Sequence, residues 1–346
     1  MRANHVMRAC GLLAVLGALA VGACGGNDSD SGSGSSAGGD GGAPVEIKIG
    51  QIPTGGLVVL QSMLTPPAGL KLQNGTAYKL TQQSFSGTPD VLQGLATGSL
   101  DAGSVGATAL FPALDKGVKL LITGEFFDER SGWLSNGFYV KKGSGVDSPD
   151  DMRGKVMAVN QVGAPVYWLG VSYMKKANLA PNDDYKVATV PFPNMLAALD
   201  AKQVNAAPLI LPFLNQAEAA PDKYQRLFLD TDVQDPYVQS LMVFRKDFVD
   251  DHRDAVRAFM ADWAKAATFV RDPANHEAVV NVVSQATKVP AKNLDYVATR
   301  KFYYIPPAGR PDLKAIQSNW DWFRGIGGTK KSYNVNDYVD PELLPK

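Results

Sequence analysis

The chain has 346 residues, 45% hydrophobic and 20% charged, with 34 Lys and Arg against 34 Asp and Glu. That is enough for one large core or two modest ones, and too apolar for a disordered chain. The zero charge balance excludes the basic footprint of a nucleic-acid binder, and two Cys and three His exclude a disulfide scaffold and a Cys/His zinc site.

Arg2 and Arg8 open the chain. Ala9 to Ala23 is then uncharged and mostly apolar, and Cys24 follows. Such a run is short for a membrane span and suits the core of a signal peptide. Its end, Val21-Gly22-Ala23-Cys24, resembles the bacterial lipobox. The resemblance implies that residues 1–23 are removed and that Cys24 carries lipid on the outer face of the cell membrane. Residues 24–44 are the lipidated Cys and a tether: Gly25 to Pro44 is nearly all Gly, Ser and Asp, which cannot bury enough surface to offset its ordering entropy.

From Val45 the pattern is α/β. Val45 to Gly50 alternates as a strand, Leu57 to Leu64 reads as a helix, and Tyr78 to Phe85 as a second strand. Thr88-Pro89 is a helix start, with a capping hydroxyl and Pro at the first helical position; that helix stops at Gly98. Leu100 to Val105 is a strand, Gly106-Ala107-Thr108 opens a helix that ends at Gly117, and Val118 to Thr123 is a strand. This alternation predicts βαβ units and a mostly parallel sheet. A faint repeat aligns Leu92 to Gly103 with Leu196 to Ala207 at a constant offset of 104, which suggests two similar α/β lobes. Two extended segments flank the second copy. Taken as hinge strands, 137–142 and 238–245 leave lobe two as 143–237 and lobe one as 45–136 plus 246–346. Towards the C-terminus Val256, Phe259, Met260, Trp263, Ala267 and Val270 fall on one helical face, a core stripe; Asp272-Pro273 opens the next helix.

Several of these segments together are similar to a known family. Leu95-x-x-Gly98-x-Leu100-Asp101-x-Gly103, then Gly106 and Phe111-Pro112-Ala113-Leu114-x-x-Gly117, resemble the first-lobe signature of solute-binding proteins for ABC importers. Asp151-Met152-Arg153-Gly154-Lys155-Val156 resembles their second-lobe opening, and Phe244 to Phe248 their return to lobe one. The branch resembled is the nitrate/sulfonate/taurine-binding group, which includes relatives that bind thiamine precursors; Lys202 and Asn205 stand where it usually has Gly and Asp. The resemblance implies a two-lobed periplasmic-binding-protein type II fold, each lobe a mixed, mainly parallel sheet flanked by helices, with two hinge crossovers. It implies partners too: a transmembrane permease with its cytoplasmic ATPase, a small ligand, no cofactor or metal, and a monomeric chain.

Ligands of open α/β sheets bind outside the carboxyl ends of strands, where helix N-termini offer free amides and partial positive charge. Four such loops are small or hydroxylated: Thr54-Gly55-Gly56, Ser86-Gly87-Thr88, Gly106-Ala107-Thr108 and Val162-Gly163-Ala164 before Pro165. They contain no Lys or Arg, so a small organic anion, an alkyl or aromatic sulfonate or carboxylate, would be gripped by main chain and hydroxyls. Phe127, Trp133, Ile210 and Leu211 are candidates to enclose its apolar body. Glu125 or Asp128 facing the cleft would favour an amine; pairing of either with Arg130 is the alternative.

Ala102-Gly103-Ser104-Val105-Gly106 is one residue from a nucleophile elbow. A serine hydrolase would need His252 or His276 as base, and both sit in a helical, charged neighbourhood far along the chain. A ligand-sensing receptor of the same fold is the other alternative to import.

Overall fold

The computed structural model describes residues 43–52 and 56–346. The expected signal peptide, Cys24, most of the tether, and Thr54 and Gly55 lie outside the described residues. In chain order the elements are β1 (Val45–Gln51), α1 (Val58–Leu64), β2 (Tyr78–Ser84), α2 (Thr88–Thr97), β3 (Ala102–Val105), α3 (Phe111–Asp115) and β4 (Leu120–Glu129). Then come β5 (Gly137–Lys141), β6 (Val156–Val159), α4 (Pro165–Lys175), β7 (Lys186–Thr189), α5 (Met195–Asp200), β8 (Ala206–Leu209), α6 (Phe213–Glu218) and β9 (Tyr224–Leu229). The chain returns through β10 (Tyr237–Arg245) to α7 (Lys246–Asp251), α8 (Arg253–Arg271), α9 (His276–Thr287) and α10 (Leu313–Gly325).

The strands form two five-stranded sheets, ordered β2-β1-β3-β10-β4 and β7-β6-β8-β5-β9. The orders are equivalent: each has three parallel strands followed by an antiparallel one and an edge strand. The repeat seen in the sequence is this equivalence, because β3 and β8 start at the aligned positions Ala102 and Ala206. The turns before them match as well. Gly98 closes α2 at φ 76°, and Lys202, at the aligned position, holds φ 56°. A lysine in this left-handed region pays a steric cost that glycine avoids.

The segments expected as hinge strands are sheet members instead. β5 is hydrogen-bonded on both sides, to β8 and β9, and β10 on both sides, to β3 and β4. A strand paired along both edges is held by its ladders, so the two sheets are joined by the short crossovers 130–136 and 230–236. β4 also runs on past Thr123 to Glu129, paired with β10 to that residue, and Glu125, Asp128 and Glu129 are buried in it despite their charge.

The stripe expected on α8 is core: Val256, Phe259, Met260, Trp263, Ala267 and Val270 are all buried. At about 1.5–3 kcal/mol for each large apolar side chain, it anchors the C-terminal helices to the first sheet. Asp272 accepts from the Ala274 amide at 2.9 Å, but it caps a short 3-10 turn, Pro273–Asn275, and α9 itself starts later than expected, at His276. No helix among the described residues is long and apolar enough to cross a membrane.

Candidate functional site

A cavity of about 60 Å³ lies between the two halves. Thr88 at the start of α2, Ser104 on β3 and Gly106 just after it reach it from the first half, and Asn160, Ala164 and the α4 start, Pro165 and Val166, from the second. Asn136 at the first crossover, and Gln239 and Ser240 on β10, form a polar wall. Phe127, Phe192, Ile210 and Tyr303 supply apolar and aromatic surface, with Phe127 stacked on Tyr303 at 4.4 Å between ring centroids.

The halves touch around this cavity. Asn160 Nδ2 donates to the Ser86 carbonyl at 3.2 Å, and Gln161 Nε2 to Asp90 at 3.1 Å. Trp168 packs edge-on against Phe323. Gly106 approaches Pro165 so closely that a Cβ would overlap the proline ring. Asn160 is only 8% exposed, and its Oδ1 has no partner among the described residues.

Two helices present their starts from opposite halves. At α2 the N-cap is Gly87, and Thr88 is the first helical residue with no capping bond from its side chain. The expected capping role for the Thr88 hydroxyl is therefore corrected, because the helix begins one residue earlier. Pro89 lacks an N–H and the Asp90 amide turns back to Gly87, so among the described residues the Thr88 amide and hydroxyl remain uncommitted. At α4, Pro165 again lacks an N–H, and the amides of Ala164 and Tyr167 are committed locally. The Val166 amide is left over among the described residues. Ser104 and Ser240 share a hydroxyl bond of 2.7 Å, which leaves one proton free to donate.

The sequence candidates divide as follows. Thr88, Gly106, Phe127, Ala164 and Ile210 line the cavity. Gly56 backs the Phe127 ring, and Ser86 and Gly87 meet Asn160 and Gln161 at the rim. Ala107 and Thr108 are buried behind the wall, tied to Trp320 and to the Tyr237 hydroxyl. Leu211 is also behind it, its amide 3.4 Å from the Tyr303 hydroxyl. Four candidates, Trp133, Val162, Gly163 and Glu125, lie off the cavity. Trp133 packs outside the cavity, against Tyr304 and under Arg300. Val162 is 57% exposed at a loop tip, and Gly163 beside it has open space around its Cα. Glu125 is buried away from the cavity and accepts from the Asp312 amide at 2.8 Å. Asp128 pairs with Arg130, the alternative weighed for it.

Asn136, Gln239 and Tyr303 were missed. They arrive from the first crossover, from β10 and from the segment after α9, and no local pattern joins them. The one available signal was Gln239-Ser240, a polar pair inside an otherwise apolar strand.

Behind the polar wall lie two carboxyl groups. Glu129 is fully buried and accepts from Ser135 Oγ at 2.8 Å, the Asn136 amide at 2.7 Å, Asn136 Nδ2 at 2.5 Å and Gln239 Nε2 at 2.6 Å. Burial pushes its pKa up to about 7, although all four donors oppose the shift. Asp230, 1% exposed, accepts only from Gln239 Nε2 at 3.3 Å, and its Oδ1 has no partner among the described residues. Burial first, then the Glu129 charge, drive its pKa well above the carboxylate range.

Among the described residues no Lys, Arg, His, Asp or Glu lines the cavity. Ser104 therefore has no base within it: the His276 ring is held by the Asp295 carbonyl, and His252 lies against Phe248. Among the described residues no group of His, Cys, Asp and Glu could hold a metal ion.

Two similar sheets with a shared cleft are the architecture of periplasmic binding proteins. The chain belongs to the NMT1-like family, whose model matches residues 40–284. It is similar in fold to the alkanesulfonate-binding protein SsuA of Xanthomonas axonopodis bound to MOPS: TM-score 0.65, 20% identity, covering 86% of this chain and 99% of that one. It is also similar to the periplasmic nitrate-binding protein NrtA of Synechocystis PCC 6803: TM-score 0.68, 14% identity, covering 86% of each chain. Curated relatives include a Brucella abortus protein named only as a candidate binding protein, 26% identical over 213 residues. That match spans 61% of this chain and 63% of the length of the relative.

Proposed function

We propose that this chain is the extracytoplasmic solute-binding component of an ABC importer. It captures a small organic anion, a sulfonate or carboxylate with an apolar body, between its two halves and presents it to a membrane permease. The observation that carries the reading is that, among the described residues, the cavity is lined from both halves by residues with uncommitted donors, the Thr88 amide and hydroxyl and the Val166 amide, and by no charged side chain. Helix starts bind anions through such amides, and contacts made from both sides favour the closed state. The aromatic wall of Phe127 and Tyr303 suits the apolar body. Lipid on Cys24 and the tether that follows would hold a monomeric chain near the permease.

The test is thermal unfolding of the soluble chain with nitrate, butane-1-sulfonate and benzoate. A ligand at 100 times its Kd adds about 2.7 kcal/mol of stability, a shift of several degrees. A folded, monodisperse protein that shifts with none of these anions overturns the ligand class. Mass spectrometry of Cys24→Ala against the parent in bacterial membranes checks the anchor: the variant should lack the lipid mass and leave the membrane.

A further inference from the structure

Glu129 and Asp230 lie where the two crossovers begin, and their hydrogen bonds bind both crossovers to the cavity wall. Glu129 ends β4, while Ser135 and Asn136, its donors, end the first crossover. Asp230 opens the second crossover and donates its own amide to the Asn136 carbonyl at 3.0 Å. Gln239 reaches both carboxyl groups through one nitrogen, which keeps those two oxygens no more than about 6 Å apart, within the range where like charges disfavour each other's ionisation.

The hydrogen bonds assign the charges. Every partner of Glu129 is a donor, which fits an ionised carboxylate. Asp230 has one long donor contact and a bare oxygen, which fits the neutral acid. The other titratable groups that face the pair are the Tyr237 and Tyr303 hydroxyls, pushed up first by burial and then by the carboxyl charges, and Asp232, which adds to the push on Asp230. No Lys, Arg or His forms an ion pair with either carboxylate among the described residues. A single uncompensated negative charge thus sits behind Asn136 and Gln239, both of which line the cavity.

We propose that the Glu129–Asp230 pair makes ligand capture proton-linked: when a negative ligand enters the cavity, Glu129 takes a proton from solvent. The inference rests on the anionic ligand proposed above. The bound charge and the Glu129 charge repel across one layer of neutral side chains, and protonation of Glu129 removes the repulsion. The wall changes with it, because the protonated acid must donate one bond where it now accepts four. Ser135 Oγ can receive that bond by turning its own proton to the Asn136 carbonyl 3.1 Å away, or Asn136 or Gln239 by turning its amide.

The sign and size follow from linkage. A ligand charge on the order of 10 Å away raises a buried carboxyl by about one pH unit at an effective dielectric near 20. With a free value of about 7, affinity for an anion rises as pH falls, roughly fivefold between pH 8 and pH 6. About 0.4 of a proton is taken up per ligand at pH 7.

The experiment is calorimetric titration of the full soluble chain with butane-1-sulfonate at pH 6, 7 and 8, in two buffers of different ionisation heat. Butanesulfonamide serves as the uncharged control. Expected are proton uptake and the affinity rise with the sulfonate, neither with the sulfonamide, loss of both in Glu129→Gln, and retention of both in Asp230→Asn. Binding of the sulfonate by the parent chain without proton uptake overturns the coupling, whether or not Glu129→Gln folds. An equal pH slope in a folded Glu129→Gln overturns the assignment to this residue. Absence of sulfonate binding at every pH overturns the anionic reading, and the coupling falls with it.

Discussion

Strand β4 starts two buried acidic pairs within five residues, Glu125 with Asp128 and Glu129 with Asp230. In both pairs the first cause of the raised pKa values is burial, and in both one member is much the more reluctant to ionise. The difference is the counter-charge. Asp128 has Arg130 on both carboxylate oxygens, and that guanidinium also lies 3.7 Å from Asp312. Glu129 has four neutral donors and no cation. The first pair is off the cavity and works as a structural ion cluster; the second stands behind the cavity wall with its charge unbalanced. Neighbouring positions on one strand can thus carry opposite electrostatic designs, decided by which residues the crossovers bring to them.

The comparison can be broken most forcefully through pH. A raised carboxyl pKa means that the folded chain holds a proton which the unfolded chain has released. Stability from Glu129 is therefore complete below its ordinary value of 4.5 and is lost as pH rises to about 7. The loss is on the order of 3 kcal/mol, and urea unfolding across that window should show it in the parent chain and much less of it in Glu129→Gln. A parent profile no steeper than that of Glu129→Gln would make the two pairs alike. Next in size, Arg130→Ala strands Asp128 without its cation and should cost about 2–3 kcal/mol at pH 7, below the full buried-pair figure because the arginine is 26% exposed. Glu129→Gln at the same pH should stay within about 1 kcal/mol, since it removes a charge that nothing balances. Gly106→Ala carries the contrast to the cleft: its methyl collides with Pro165 and should weaken butane-1-sulfonate binding about tenfold or more, with little change in Tm. Val162→Ser, at an exposed tip, should alter stability by less than about 0.5 kcal/mol and leave affinity unchanged.

Local periodicity made much of the fold legible. The α8 stripe, the Gly98 stop, the Asp272 cap and the 104-residue repeat are all patterns within one element or its copy. The cavity was legible where it is built from helix starts, as at Thr88, Gly106 and Ala164, and at two apolar positions, Phe127 and Ile210. Trp133 and Glu125 misled because sequence names a side chain without the direction it takes from the strand or crossover. Asn136, Gln239 and Tyr303 were invisible for a different reason: their role comes from meeting one another, across separations of 64 to 167 residues along the chain. The same holds for Asp230, whose isolation only the folded surroundings reveal.

The placement of β10 bears on how the molecule assembles. The second sheet draws all its strands from one uninterrupted stretch, β5 to β9, and can be completed as soon as that stretch is available. The first cannot: β10 sits between β3 and β4, so a chain emerging N-terminus first leaves a slot open in the earlier-made half until residue 245 has appeared. The half that begins first is therefore the one that finishes last, and an interval with two unpaired strand edges is built into the order of synthesis.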